Sequence, residues 1–271
     1  MKNILSLFLL SILLWSCEDK VNIDLENASP KLVIDANILW NKGTSGATQS
    51  IKLSTTGNYY SNTTPKVSGA IVTVTSGANV FNFLEVTPNS GEYVCTNFVP
   101  VINQNYTLNV NYQGQNYTAT EKLLATPTIT HVEKTVVSVF GKDVIQLKAF
   151  FNDNGNENNF YLVGVKNPLY QIPEYGVLKD EFFQGNEMFG FYADENLVTG
   201  LDMKFTIQGI SERYYNYMNK LLSVSGNSGG SPFATPPASV RGNIVNQNDT
   251  NNYPLGYFHI SEQDTKNYII P

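Results

Sequence analysis

The sequence predicts a mainly β protein: an N-terminal immunoglobulin-like β-sandwich, then a second β-rich domain with one amphipathic helix. Three observations carry this. Short runs rich in Val, Ile, Thr, Tyr and Phe recur along the chain, with Gly, Asn and Ser turn signals roughly every ten residues. Tyr106, Leu108, Val110 and Tyr112 alternate strictly with Thr107, Asn109 and Asn111, the period of a half-buried strand. Helical periodicity is clear in one stretch, where Tyr214, Tyr217, Met218, Leu221 and Leu222 share a face.

The chain opens with Lys2 and an apolar run from Ile4 to Leu14, interrupted by Ser6 and Ser11. That run falls short of the roughly 20 residues a membrane-spanning helix needs, so it reads as a signal peptide over residues 1–16. It ends in Leu13-Leu14-Trp15-Ser16-Cys17. A small residue before a cysteine, with leucine three positions upstream of the small residue's neighbour, resembles the lipobox of bacterial lipoproteins, although Trp15 is bulkier than usual there. The resemblance implies cleavage before Cys17 and a lipid on it, holding the protein to a membrane. The other reading is an ordinary secretory signal followed by an incidental cysteine. Glu18-Asp19 resembles the short acidic signal that sends such lipoproteins of the Bacteroidota to the outer face of the outer membrane. Residues 17–29 then form the expected tether, with Val21, Ile23 and Leu25 able to pair as a strand.

From residue 30 to 126 the pattern gives seven strands. Lys31 to Ile38 and Ser50 to Ser54 are joined through Asn41-Lys42-Gly43. Ile71 to Thr75, Val80 to Val86 and Glu92 to Thr96 each follow a glycine turn. Tyr106 to Tyr112 turns at Gln113-Gly114 into Gln115 to Glu121. Seven short strands with this spacing favour the immunoglobulin-like sandwich. Tyr106, at the head of the sixth strand, fits two roles: a tyrosine corner or an ordinary core aromatic. Pro127 interrupts strand pairing, which sets the expected domain boundary at about residue 126.

Residues 127–271 continue in strands. Ile145 to Phe151 alternates, Phe160 to Val165 is a continuous apolar run, and Met203 to Ile210 is another strand. Asn167 to Leu197 is long and aromatic, with strands that periodicity does not place. Ser211 is a good N-cap for a helix over 211–223, with Glu212 favourable to its dipole. A Gly/Ser/Pro loop follows from Ser225 to Pro237.

Charged residues make up only 15% of the chain, the net charge is −6, and no basic cluster occurs. Nucleic acid is therefore excluded as an expected partner, since phosphate neutralisation needs grouped Lys and Arg. Two cysteines are present, so lipidation of Cys17 leaves Cys95 without an intramolecular disulfide partner. His131 and His259 lie far apart, and neither a zinc site nor a histidine-based triad is indicated. Asn152 to Asn158 lacks the EF-hand spacing and reads as a polar turn. Asp180 and Glu181 carry no specific signal for glycoside hydrolysis. No cofactor is implied. The residues offered for ligand stacking are Trp40, Tyr59 and Tyr60, which also suit ordinary core or rim positions.

Several motifs in order resemble one family. They are the lipobox cysteine, Leu32-Val33-Ile34-Asp35, Val67-Ser68-Gly69-Ala70-Ile71-Val72, Gly91-Glu92-Tyr93, the Tyr-rich helix, Phe233 with Pro236-Pro237, Gly242-Asn243-Ile244 and Leu255-Gly256-Tyr257-Phe258. Together they resemble the Bacteroidota lipoproteins grouped as domain of unknown function 4249. The resemblance implies an outer-membrane lipoprotein, often encoded beside TonB-dependent β-barrel transporters, and no activity. The expected function is non-enzymatic: a binding or accessory component of a TonB-dependent uptake system. A structural or adhesive surface protein is the second reading, and a hydrolase of extracellular polymer the third.

Overall fold

The computed structural model describes residues 29–57, 63–139, 141–225 and 240–271. The signal peptide, Cys17 and nearly all of the tether, with its Val21, Ile23 and Leu25 alternation, therefore lie outside the described residues. So do Tyr59 and Tyr60, and the loop from Gly226 through Phe233 and Pro236-Pro237.

The first unit holds β1 (Leu32–Asn41), β2 (Gln49–Thr55), β3 (Ile71–Ser76), β4 (Asn79–Glu85), β5 (Glu92–Cys95), β6 (Asn105–Tyr112) and β7 (Gln115–Lys122). Each strand overlaps one read from the alternation, because one face of each is buried and the other wet. β1-β2-β5 form one layer and β4-β3-β6-β7 the other, with a short β4–β5 pairing stitching one corner. Ile34, Ile38, Ile51, Val74, Leu108 and Phe98 fill the space between them. Tyr106 is a tyrosine corner: its buried hydroxyl donates to the Val99 carbonyl (2.9 Å) and accepts from the Val101 N–H (2.8 Å).

The second unit holds β8 (Ile129–Val139), β9 (Lys142–Asn152), β10 (Phe160–Lys166), β11 (Glu174–Lys179), β12 (Glu187–Asp194), β13 (Asp202–Ile210), helix α1 (Glu212–Ser225) and β15 (Leu255–Ile269), while the short β14 (Val245–Asn246) between α1 and β15 pairs with β7 of the first unit. β12-β9-β8 form one layer and β11-β10-β13-β15 the other, around Leu147, Phe151, Tyr161, Met203, Phe205 and Ile207. Counted along the chain, this is the same seven-strand order as in the first unit. The fold is thus mainly β, two fibronectin-type sandwiches in tandem.

The second unit differs in one connection. Between β13 and β15 the chain makes α1, whose N-cap is Ser211, its hydroxyl accepting from the Tyr214 N–H (3.2 Å). Tyr214 and Met218 bury against Leu162, Ile210 and Tyr257 on the outer face of the four-stranded layer. That explains the continuous apolar run in β10: Tyr161 and Val165 face the sandwich, while Leu162 lies under the helix.

β15 serves both units. Its first part pairs in parallel with β1, from Val33↔Leu255 to Asn41↔Gln263, and its last part pairs with β13. Phe258 and Ile260, with Ile244, belong to the first core. The chain passes from one core to the other between Leu123 and Ile129, yet residues 30–126 alone do not close the first core. Two glycines make this return possible. A Cβ on Gly256, which has φ +94°, would lie 2.1 Å from the Ile34 carbonyl oxygen. One on Gly242 would lie 1.7 Å from the carbonyl oxygen of Gly256. The two compact C-terminal signatures are therefore places where backbones touch.

Candidate functional site

Of the residues offered for ligand stacking, the described residues contain Trp40. It is half-buried against the first core, and its indole N–H donates to the Thr44 carbonyl (2.8 Å). Its ring closes over Gly46, where a Cβ would come within 2.8 Å of the indole. Packed in this way, it is a core-rim aromatic, partly open to solvent.

Glu121 is a buried carboxylate with three side-chain donors. On β7 it shares a face with buried Tyr117 and Ala119, so the strand's own parity drives its carboxylate inward. Oε1 accepts from the Tyr257 hydroxyl (3.0 Å) and the Asn243 amide (3.0 Å), and Oε2 accepts from the Ser211 hydroxyl (3.1 Å). Burial raises its carboxyl pKa, against the pull of those three donors and the Arg213 charge. Asn243 also brackets Phe258, donating to its carbonyl (2.8 Å) and accepting from its N–H (2.9 Å), as a neighbouring strand would. This node ties the helix start, the Gly242-Asn243 turn and β15 to the first unit. Its oxygens accept from protein donors on three different elements, so it joins them.

His259 lies beside it, fully buried and stacked on Tyr214 at 3.8 Å between ring centres. Burial lowers its pKa to about 3, so the ring is neutral. The Gln208 amide nitrogen donates to Gln263, which leaves the Gln208 carbonyl oxygen to accept from His259 Nε2 at 3.1 Å. Cys95 is buried, its thiol donating to the Asn97 side chain. Neither has a partner suited to nucleophilic catalysis.

A cleft of about 290 Å³ with mixed polar and apolar walls opens where the two units meet, lined by Thr126, Asn152 to Asn154, Glu157 to Tyr161 and Gly209-Ile210 among others. Asp153, in the polar turn from Asn152 to Asn158, accepts from the Tyr161 hydroxyl (2.5 Å) and the Gly185 N–H (2.9 Å). Asp180 accepts from the Asn159 N–H (2.7 Å), and Glu181 is paired with Lys179. These acids hold loops together. Among the described residues no group of His, Cys, Asp and Glu is placed to hold a metal ion.

The exposed aromatic side chains lie in the second unit, spread over both of its layers and the connections around β11. Every exposed Phe or Tyr among the described residues falls within 170–191: Tyr170, Tyr175, Phe182, Phe183, Phe189 and Phe191. Ile172 and Phe182, in the two connections around β11, are 77% and 84% exposed. On the outer face of the three-stranded layer, His131 stacks on Phe150 at 4.5 Å and Phe189 meets Phe150 at a tilt at 5.4 Å, a row across β8, β9 and β12. The Lys148 ammonium sits 4.8 Å over Phe189.

The profile of a family described as "Domain of unknown function (DUF4249)" matches residues 18–267. No curated protein matches the chain. Among solved structures, a cytokine receptor complex is similar over 68% of this chain and 86% of its own, at 6% identity and a TM-score of 0.26. A two-domain fibronectin type-III segment of chicken tenascin is similar over 67% of this chain and 91% of its own, at 12% identity and a TM-score of 0.21.

Proposed function

The chain belongs to the DUF4249 family, and from that premise we propose that it is a non-enzymatic lipoprotein of the Bacteroidota outer membrane, anchored by a lipid on Cys17 and facing the cell exterior, that serves as a binding or accessory component of a TonB-dependent uptake system. The observation that carries the reading is the confinement of exposed aromatic side chains to residues 170–191. Aromatic anchors in an otherwise polar surface are what protein interfaces use at their centres. A lipid tether would hold that surface in the plane of a transporter's mouth, so a weak contact could persist. The buried acids and histidine, each occupied by protein partners, support binding over chemistry. The described residues contain no helix long and apolar enough to cross a membrane.

Affinity purification of the full protein from solubilised membranes should recover a β-barrel transporter, and Ile172→Lys with Phe182→Lys should lose it without loss of the protein itself. Recovery of no barrel, with uptake unchanged after deletion of the lipoprotein, would overturn the reading. That outcome would favour a rigid surface spacer, which the tandem of two sandwiches sharing one strand also suits.

A further inference from the structure

Sheet edges are the places where a β protein invites further pairing, and native proteins guard them with charge, proline, short length or bulges. Four strands end sheets here: β11, β14, β12 and β8. β14 has two residues. β8 carries His131, Glu133 and Lys134 and a register irregularity between Ile129 and His131. β11 is six residues long, bounded by Glu174 and Lys179. β12 is also bounded by charges, Glu187 and Asp194, but its six interior residues Met188-Phe189-Gly190-Phe191-Tyr192-Ala193 carry no charge, proline or bulge. It pairs with β9 on one side only, and no hydrogen bond from the described residues reaches its backbone on the other side.

The order of residues in β12 says what pairs there. It is near-symmetric about Gly190: Phe189 mirrors Phe191, Met188 mirrors Tyr192, and Glu187 mirrors Ala193. Phe189 and Phe191 point outward and are exposed, while Met188 and Tyr192 point into the core. We propose that β12 pairs with β12 of a second copy, antiparallel about Gly190, joining the two three-stranded layers into one continuous sheet. In that register Phe189 of each copy lies beside Phe191 of the other, an aromatic cross-strand pair on the outer face. Met188 lies beside Tyr192 on the inner face. The acids Glu187 and Asp194 fall opposite Ala193 and Asn186, so no like charges meet directly. The contact is isologous, and a two-fold axis through Gly190 closes it at two copies. It does not use Ile172 or Phe182, the side chains tested above.

The test reads register and does not depend on any transporter. In membranes holding the full protein, chains with Phe189→Cys and chains with Phe191→Cys are expressed separately and together, and cross-linked with a short bismaleimide. Cys95 is buried and stays silent. The dimer should form strongly when the two variants are mixed and weakly when either is alone, since each position faces the other and not itself. Phe191→Lys, on an exposed position, should abolish the cross-link formed through a cysteine at Phe189 while leaving the amount of protein unchanged. Equal cross-linking in all three samples, no cross-linking, or cross-linking to a different protein would each overturn self-pairing.

Discussion

The two sandwiches have one strand order and differ in how the sixth strand reaches the seventh. In the first, Gln113-Gly114 turns β6 directly into β7, an eight-residue strand. In the second, the chain leaves β13 at Ser211, builds α1, returns through Gly242-Asn243, and only then enters β15, which is fifteen residues long. The difference teaches where a repeated frame gains its individuality. The extra length of β15 is spent on the first unit, beside β1, and the detour supplies the residues that cover and lock that strand. The exposed surfaces diverge as well. Exposed apolar residues of the first unit, such as Ile71, Leu84 and Val86, are aliphatic, whereas those of the second include all the exposed aromatics among the described residues.

The sharpest way to break this comparison is to ask whether the first sandwich stands without the second. A chain of residues 28–125 keeps all seven of its strands but loses β15, and with it Phe258 and Ile260 from the core. β1 would then expose the edge that β15 pairs over nine residue positions. This fragment should show no cooperative thermal transition, while the chain retaining residue 271 should unfold cooperatively. A cooperative transition in the fragment would mean that β15 decorates a frame already complete.

A smaller effect is expected from Gly256→Val. Its φ of +94° and the Ile34 carbonyl oxygen 2.1 Å from a Cβ leave no room for a side chain. Strain and displacement together should destabilise the protein by about 3 kcal/mol or more, read from denaturant unfolding. By comparison Gly114, in the tight turn of the first unit, would meet nothing within 4 Å on gaining a Cβ. A variant at Gly256 as stable as the parent would show that β15 does not approach β1 so closely.

The contrast also explains what the sequence could disclose. The first unit was legible strand by strand because its sides differ: Leu108 and Val110 are buried while Thr107, Asn109 and Asn111 lie on the wetter face. β11 and β12 were hidden because the period of two disappears when both faces are apolar. In β12, Met188 and Tyr192 face the core and Phe189 and Phe191 face out, so hydropathy does not alternate. The parallel pairing of β15 with β1 joins residues at opposite ends of the chain, and no local pattern reports such a partner. Gly242-Asn243 and Gly256-Tyr257 stood out as signatures, but their shared partner Glu121 did not. The signal was present: parity places Glu121 on the side of Tyr117 and Ala119. Tyr106 kept its two roles open in the sequence because only the hydroxyl's partners, Val99 and Val101, tell a corner from a core ring.

The subtlest expected effect concerns the charge of Glu121, where the two units are locked together. Burial raises its folded pKa above the ordinary carboxylate value, and the Tyr257, Ser211 and Asn243 donors with the Arg213 charge offset that rise only in part. A carboxyl with a raised folded pKa favours the fold in its protonated form. Its contribution is therefore complete below the unfolded value, near 4.5, and is lost as pH rises through the higher folded value. Glu121→Gln removes the titration while keeping a similar shape and an oxygen to accept from Tyr257 and Asn243. The stability difference between parent and variant should then move in the variant's favour as pH rises from mildly acidic toward neutral, with a slope no steeper than about 1.4 kcal/mol per pH unit, the limit for one proton. Beyond the folded pKa the difference should level off. Melting temperatures of both proteins across that range supply the measurement. Parallel curves would mean that Glu121 carries the same protonation in the folded and unfolded chains, and that its three donors, not its burial, govern the node.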